Sequence, residues 1–350
     1  MTPVRIGLIG CGRIVQTVHL AILTKLPNAK LVALAETDVQ RRDEASQRAP
    51  DTIALASHEQ LLRRDDIDAV VICLPTALHA RIAHEALQHG KHVYVEKPLA
   101  TSLAEARPVV DEWKKTNVVG MMGFNYRFNK LHQAAQRAIQ RGKIGDVISV
   151  RTVFTSAARS LPSWKQHRHS GGGVLLDLAS HHIDLLHFLF GSSIDEVRAE
   201  IDSQRTEDDT ALVQLRLANG VAVQSFFSMC TTNEDRFEIY GTEGKITIDR
   251  QRGWNANITS TNASHSRLAQ LRSGLTNVVL SPYIRQRLTA PTSEPSFNVA
   301  LAQFVAAIRN RRLSYPSFDD GYRSLAVIEA AEAAAQSGQT IRLKGELVAQ

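Results

Sequence analysis

Hydrophobic residues in the first third of the chain form short, nearly continuous runs, which longer stretches with helical spacing separate. The runs predicted to be buried strands are residues 4–9, 31–35, 69–74, 92–95 and 118–123. One of the helical segments between them covers residues 76–89. Alternation of apolar strands with helices predicts a parallel sheet that helices cover on both faces. The pattern therefore predicts an α/β domain with a doubly wound parallel sheet over residues 1–124.

After residue 124 the pattern changes, and from Asp146 onward longer strand-like runs follow. The predicted strands are residues 147–154, 197–202, 211–217, 221–227, 236–240 and 245–248, and the predicted helices are residues 129–141, 297–308 and 322–335. The dipeptide Asn219-Gly220 is typical of a tight hairpin. We expect successive antiparallel strands. The second domain, residues 125–350, is therefore predicted to be α+β with an open, mostly antiparallel sheet.

A glycine-rich turn follows the first strand and opens a helix. A tight turn requires Gly10, and close approach of the backbone to a pyrophosphate requires Gly12. Val15 stands where this fingerprint usually has glycine or alanine, so we expect the helix to lie further from the strand. Glu36, at the end of the second strand, can bind both ribose hydroxyls and repel a 2′-phosphate, which favours NAD over NADP. The alternative is a glycine turn with an unrelated surface acid.

Two further segments carry candidate catalytic groups. Lys97 follows the fourth strand, at the sheet edge where doubly wound folds bind ligands, although it can also be an ordinary surface lysine. Three glycines open residues 171–184, in which Asp177 and His181 are four apart and so share a helix face, with Asp184 three residues further on. A carboxylate one turn from an imidazole can orient it as a general base. The alternative is a buried, satisfied polar cluster.

Together these segments resemble the glucose–fructose oxidoreductase/inositol dehydrogenase (Gfo/Idh/MocA) family. The matching pieces are residues 7–14, Leu74-Pro75-Thr76 with His79, residues 90–99 with Glu96-Lys97-Pro98, Asn125-Tyr126-Arg127-Phe128, residues 171–184, and Phe318-Asp319-Asp320-Gly321. The resemblance implies a Rossmann domain, an α+β domain, and a nicotinamide cofactor in the cleft between them. It also implies a homodimer or homotetramer through the open sheet. Leu212, Gln214 and Arg216 alternate with the apolar residues Ala211, Val213, Leu215 and Leu217, which agrees with such an open face.

The resemblance also implies roles for single residues. Lys97, Asp177 and His181 correspond to the catalytic group. Cofactor contacts follow from the glycine fingerprint and the resemblance together: Gly10, Cys11, Gly12, Arg13, Ile14, Glu36, Pro75, Thr76, His79, Glu96 and Asn125. The resemblance places Arg127 near the substrate. Trp164 and Arg168 are added to the substrate contacts because their segment leads into the three glycines.

The implied reaction is hydride transfer between a nicotinamide cofactor and a secondary hydroxyl or ketone of a sugar, a sugar derivative or a cyclic polyol. His181 would take the hydroxyl proton, Asp177 would hold His181, and Lys97 would stabilise charge on the oxygen. Two other functions stay open: a non-catalytic NAD sensor or corepressor, and an NAD-dependent glycoside hydrolase.

The substrate is hypothesised to be anionic because the segment between Phe154 and Asp177 holds Arg159, Lys165 and Arg168 without an acid. The alternative is a solvated basic loop. Residues 250–293 likewise contain six arginines and no acid, which can attract an anion or form a solvated insertion.

Composition narrows the remaining classes. The 350 residues are 43% hydrophobic and 22% charged, as in soluble globular proteins. Three cysteines without CxxC spacing argue against disulfides and structural zinc, and no metal is expected. With 6% aromatic residues and no recognition motif, nucleic acid is a poor partner. We see no secretory signal and no membrane-spanning run, so a cytoplasmic location is expected.

Overall fold

The computed structural model describes residues 2–261 and 294–343. The chain divides into two compact units. The first contains Met1–Asn125, His169–Gly171 and Ala290–Leu325, and the second contains Tyr126–Arg168, Gly172–Thr289 and Ala326–Gln350. A segment from late in the chain therefore belongs to the first unit, next to residues that are distant in sequence.

The first unit is built on a six-stranded parallel sheet in the order β3-β2-β1-β4-β5-β6. The strands are β1 Val4–Ile9, β2 Ala29–Ala35, β3 Ile53–Leu55, β4 Ala69–Ile72, β5 His92–Val95 and β6 Gly120–Met122. The central strand β4 is buried along its whole length. The order and the burial confirm the predicted doubly wound sheet. The pattern did not predict β3, which has three residues, two of them exposed, and so carries no buried apolar run.

Helices and short turns connect these strands. They are a π-helical turn Val15–His19, α1 Leu20–Leu23, α2 Val39–Arg48, α3 His58–Leu62, a 3-10 turn Thr76–Leu78, α4 His79–Gln88, α5 Leu103–Lys114 and a 3-10 turn Asn125–Phe128. Asp38, Ser57 and Ser102 begin helices by accepting a hydrogen bond from the amide three residues on. Such side-chain caps satisfy amides that have no partner within the helix.

The second unit is built on an eight-stranded sheet in the order β13-β12-β11-β7-β10-β9-β8-β14. The strands are β7 Val147–Thr155, β8 Ile194–Asp202, β9 Thr210–Leu217, β10 Ala222–Ser228, β11 Glu234–Gly241, β12 Gly244–Asp249, β13 Asn257–Ser260 and β14 Ile341–Arg342. The remaining helical segments of the chain are α6 Lys130–Gln140, 3-10 turns Ser163–Lys165 and Arg168–Ser170, a π-helical turn Leu175–Ala179, α7 Ser180–Phe190, α8 Ser296–Asn310 and α9 Phe318–Ser337.

The position of β7 corrects the expectation of successive antiparallel strands. This strand lies between β11 and β10 and pairs with β10 in parallel, whereas every other described pair in this sheet is antiparallel. Alternating polarity shows which face a residue occupies, but it carries no information on which strands are neighbours. The prediction that the sheet of the second domain is mostly antiparallel is confirmed. The Asn219-Gly220 hairpin is also confirmed, since it joins the antiparallel strands β9 and β10.

One face of this sheet is exposed, as the alternation along β9 predicts. Ala211, Val213 and Leu215 are buried, whereas Leu212 is 52% exposed. On the other face, the turn Leu175–Ala179 contacts β7 and β10. Within the described residues, none of the helices combines the length and the apolar character needed to span a bilayer.

We expect Gly10→Ala to lower the melting temperature. An alanine Cβ would lie 2.5 Å from the backbone oxygen of Cys73, at a φ of +88°. A left-handed alanine costs about 1–2 kcal/mol, and overpacking adds about 1–3 kcal/mol. Gly12→Ala is the matched control, because among residues 2–261 and 294–343 no heavy atom beyond its chain neighbours lies within 4 Å of a Cβ built there. Thermal unfolding followed by circular dichroism compares the two, and equal melting temperatures would contradict this account.

Candidate active site

The glycine turn has the geometry that the fingerprint predicts. The Gly10 amide donates a 2.8 Å hydrogen bond to the Ala35 carbonyl, which ties the end of β1 to the end of β2. Gly10 is closely packed, whereas the space next to Gly12 is open. Arg13 and Ile14 then begin the helix. An open backbone approach followed by a helix N-terminus is the arrangement that accepts a pyrophosphate.

Glu36 lies at the carboxyl end of β2 and is 8% exposed. Its carboxylate accepts the amide of Cys11 at 2.7 Å and the amide of Asp38 at 3.0 Å. Arg41 lies 3.6 Å from the same carboxylate. Burial, reinforced by the Glu36 charge, raises the pKa of the Cys11 thiol to about 12, so this cysteine stays a neutral thiol. Glu36 therefore connects the glycine turn to β2 and places a negative charge beside it.

Val15 is where the fingerprint departs from its usual small residue. Its side chain is fully buried, and it is the first residue of the π-helical turn Val15–His19. A π-helical turn is wider than an α-helical one, because its hydrogen bonds run from residue i to i+5. The helix is therefore irregular at the position where the sequence predicts altered helix spacing.

The loops after β4 and β5 hold the next predicted residues. The imidazole of His79 bridges these loops, with Nε2 at 2.8 Å from the Leu74 carbonyl and Nδ1 at 2.7 Å from the Pro98 carbonyl. Glu96 lies 2.7 Å from Nε2 of His19, which is fully buried in the helix after the glycine turn. Nothing in the sequence around His19 predicted that it would contact Glu96. The half-buried Lys97 follows Glu96.

Pro75 and Thr76 begin the 3-10 turn before α4, and Gly171 approaches them closely. The φ of Gly171 is +101°, and a Cβ on it would lie 2.4 Å from the Cβ of Thr76. Only glycine fits this position without displacement. The first of the three glycines therefore packs against a predicted cofactor contact.

Asn125 is fully buried, and its amide orientation is set by two neighbours. Nδ2 of Asn125 donates to the Ser296 hydroxyl at 2.8 Å, and that hydroxyl lies 2.7 Å from a Glu294 carboxylate oxygen. Because the carboxylate accepts, the hydroxyl donates to it and accepts from Asn125. Oδ1 of Asn125 has no hydrogen-bond partner within residues 2–261 and 294–343. An orphaned acceptor fits a donor such as a nicotinamide carboxamide.

In the second unit, Asp177 lies within the π-helical turn Leu175–Ala179 and His181 lies in the first turn of α7. The prediction that the two residues share a face assumed a regular α-helix, so the π-helical turn removes that argument. Oδ1 of Asp177 accepts a 2.8 Å hydrogen bond from Nζ of Lys165. This lysine was predicted only as part of a basic segment, twelve residues before Asp177.

His181 is 8% exposed and stacks on the ring of Tyr126. The two ring centroids are 4.3 Å apart and the ring planes differ by 18°. The stack limits rotation of the imidazole about its second side-chain torsion. Tyr126 lies inside the segment Asn125–Phe128, which is one of the pieces that carry the family resemblance. The sequence therefore indicated the segment but did not predict that Tyr126 stacks on His181.

Two predicted substrate contacts are arginines that carboxylates hold within the same unit. Arg127 forms a bidentate ion pair with Asp184, in which Nε lies 2.8 Å from Oδ2, and both side chains are nearly buried. Arg168 forms a bidentate ion pair with Glu332 of α9, in which Nη2 lies 2.9 Å from Oε2. Trp164 has the Lys165 ammonium 5.4 Å from its ring centroid. The basic segment between Phe154 and Asp177 therefore carries less unpaired positive charge than its sequence alone indicates.

A buried polar network of Asp235, His182 and Arg250 lies beside His181. Their neighbours in the sequence did not predict that these three residues meet. Asp235 is 1% exposed and accepts from Nε2 of His182 at 3.1 Å and from Nε of Arg250 at 2.6 Å. The Arg250 guanidinium lies 4.3 Å from the centroid of the Tyr126 ring. Arg250 and Arg252 are the two arginines of the 250–293 stripe that lie within the described residues.

No group of three or more histidine, cysteine, aspartate or glutamate side chains is arranged to hold a metal ion in the part of the chain that the structure describes. The unit that carries the glycine turn instead fits a dinucleotide. Open space at Gly12, a carboxylate at the end of β2 and an orphaned Asn125 acceptor are the observations that support this fit.

Comparisons with known proteins agree with this assignment. The family model described as "Oxidoreductase family, NAD-binding Rossmann fold" matches residues 4–124, and the model "Oxidoreductase family, C-terminal alpha/beta domain" matches residues 136–343. The two domains define a nicotinamide-dependent dehydrogenase that acts on CH–OH groups. The chain belongs to the Gfo/Idh/MocA oxidoreductase family.

Among relatives, inositol 2-dehydrogenase of Rhizobium meliloti is 30% identical over 343 residues, 94% of this chain and 96% of that protein. Glucose-6-phosphate 3-dehydrogenase of Bacillus subtilis is 28% identical over 348 residues, 93% of this chain and 94% of that protein. A solved structure of levoglucosan dehydrogenase with NADH and levoglucosan superimposes with a TM-score of 0.85 at 25% identity, over 98% of this chain and all of that one.

Acidification is expected to destabilise the fold through His132, which is fully buried in α6. Burial lowers the pKa of His132 from 6.5 to about 4, although Asp235 opposes the shift. Below pH 6.5 the unfolded chain binds a proton that the folded chain does not bind. Stability is therefore lost as the pH falls towards 4, by about 3 kcal/mol in total.

Urea unfolding at pH 7 and pH 4.5 measures this loss in the wild type and in His132→Gln. The variant is expected to lose less stability on acidification, while His89→Gln, at an exposed histidine, serves as the matched control. An unchanged pH dependence in His132→Gln would refute the assignment.

Proposed function

We propose that this chain transfers a hydride between NAD(H) and a secondary hydroxyl or ketone of a sugar, a sugar derivative or a cyclic polyol. The observation that carries the proposal is the His181 imidazole, which is nearly buried, stacked on Tyr126 and carried on the helix that follows the three glycines. Relatives named as inositol dehydrogenases and as glucose-6-phosphate 3-dehydrogenase support this substrate class.

We assign the catalytic group to Lys97, Asp177 and His181. The imidazole of His181 removes the hydroxyl proton during oxidation and returns it during reduction. From the family resemblance we assign Asp177, which Lys165 holds, the role of supporting the imidazole, and the Lys97 ammonium that of stabilising the charge on the substrate oxygen. When bound in this unit, NAD would supply the redox chemistry of the hydride transfer. The protein contributes orientation and proton transfer.

The proposed cofactor is NAD rather than NADP, because the Glu36 carboxylate would repel a 2′-phosphate. The proposed cofactor contacts are the glycine turn Gly10–Ile14, Glu36, Pro75, Thr76, His79, Glu96 and Asn125. The proposed substrate contacts are Arg127, Trp164 and Arg168. We also propose a homodimer or homotetramer through the exposed sheet face, and a cytoplasmic location.

The sugar is proposed to be neutral or weakly anionic. Ion pairs to Glu332 and Asp177 neutralise Arg168 and Lys165. This leaves the exposed Arg159 as the cation of the basic segment without a described ion pair.

A panel of neutral sugars, sugar acids and sugar phosphates, followed by the absorbance of NADH, tests the substrate class and the reaction type. Net NADH supports a dehydrogenase, whereas release of an aglycone without net NADH would indicate a glycoside hydrolase. Binding of NAD without any turnover would indicate a sensor.

Turnover is expected to fall by about 10²-fold or more in Lys97→Ala and in His181→Ala, because each loses a group that acts on the reacting oxygen. The dissociation constant for NADH, measured by fluorescence titration, should change little in either variant. Lys115→Ala and His89→Ala, at exposed positions, are the matched controls. Turnover near that of the wild type in Lys97→Ala and His181→Ala would exclude the assignment.

We expect NADH to bind the wild type at least about tenfold more tightly than NADPH, a difference of about 1.4 kcal/mol. Glu36→Gln should narrow this ratio, since glutamine keeps an acceptor for the Cys11 amide but removes the charge. Glu44→Gln, on the exposed side of α2, should leave the ratio unchanged. Equal binding of NADH and NADPH to the wild type would disprove the preference for NAD.

A further inference from the structure

Two of the groups around the Tyr126 ring lie closer to its centroid than His132 and Phe154 do. The imidazole of His181 stacks on it at a centroid distance of 4.3 Å, and the guanidinium of Arg250 lies 4.3 Å from the same centroid. A guanidinium over a tyrosine face is attracted by the ring quadrupole, most strongly where water is excluded. Arg250 therefore holds the ring on which the proposed base rests.

The Arg250 guanidinium is itself anchored by a buried carboxylate. Oδ2 of Asp235 accepts from Nε of Arg250 at 2.6 Å, and the Arg250 amide donates to the Asp235 carbonyl at 2.9 Å. Two bonds between the same pair of residues fix Arg250, which directly follows β12, against β11. The arginine side chain is 16% exposed, so solvent screens the pair only weakly.

The same carboxylate also anchors the helix that carries His181. Oδ1 of Asp235 lies 3.1 Å from Nε2 of His182, the next residue of α7. His182 and His181 leave the helix about 100° apart. One oxygen of Asp235 therefore contacts α7 at the residue next to the proposed base, and the other contacts the arginine that lies against the Tyr126 ring.

We propose that Arg250 and Tyr126 are positioning residues for His181, with Arg250 acting through the Tyr126 ring. The proposal rests on the function proposed above, in which His181 moves the substrate proton. A misplacement of about 1 Å in a reacting group can cost about 10²-fold in rate. Loss of the stack should therefore lower kcat and leave binding of substrate and cofactor nearly unchanged.

The test compares Tyr126→Leu with Tyr126→Phe, and Arg250→Met with Arg250→Lys. Tyr126→Leu and Arg250→Met are expected to lower kcat by about tenfold or more, with substrate KM and NADH Kd within about threefold of the wild type. Tyr126→Phe keeps the ring and Arg250→Lys keeps the charge, so both should retain most of the wild-type kcat. Arg107→Met is the matched control, since Arg107 lies 4.5 Å from the Tyr322 ring in the other unit.

Two double variants show whether the arginine acts through the ring and the histidine. Tyr126→Leu/Arg250→Met should be no slower than Tyr126→Leu, and Arg250→Met should cost nothing further in His181→Ala. Losses that multiply in either background would overturn the proposal. If Arg250→Met fails to fold because Asp235 loses the arginine, the comparison of Tyr126→Leu with Tyr126→Phe tests the proposal alone. A wild-type kcat in folded Tyr126→Leu would then overturn the proposal. A slow His181→Ala beside a normal Tyr126→Leu refutes only the positioning, whereas a normal His181→Ala refutes the proposed function as well.

Discussion

A carboxylate that is withdrawn from water must be paired, and this constraint organises both units. In the first unit, Glu36 accepts the amide of Cys11 and so fixes the glycine turn to β2. In the second, Asp184 binds Arg127 and Asp235 binds Arg250. Each pair joins two different elements or loops, over sequence separations of 25, 57 and 15 residues. Apolar burial builds the layers, and these pairs determine how candidate site residues are held within them.

The regular part of the fold follows from hydrophobic periodicity alone. β1 and β5 begin and end where the apolar runs do, because a strand buried on both faces must be apolar throughout. Short strands at sheet edges, such as β3 and β14, carry too few residues to form a pattern. The parallel pairing of β7 with β10 was missed because pairing depends on contacts between segments that are far apart in sequence.

Some residues of the candidate site could likewise be predicted from local sequence, whereas others are defined by tertiary contacts. Gly10 and Glu36 could be predicted because a tight turn and a strand end are local features with local residue requirements. The contacts from Lys165 to Asp177 and from Arg250 to Tyr126 are tertiary, so residue spacing did not reveal them. Arg168, predicted as a substrate contact because its segment leads into the three glycines, also has a carboxylate partner in α9 that is 164 residues away. Local sequence therefore does not show which cations the fold already pairs with carboxylates.

The central position of β7 bears on the order in which this chain can assemble. Both neighbours of β7, β10 and β11, begin more than sixty residues after it ends. At a synthesis rate of about 5–20 residues per second, β7 leaves the ribosome several seconds before either neighbour exists. The helix that carries His181 emerges during this interval, inside a loop that only the later pairing closes. The contacts of the turn Leu175–Ala179 with β10 can therefore form only after the chain has been synthesised beyond β10, and pairing of such distant segments is a slow kind of folding step.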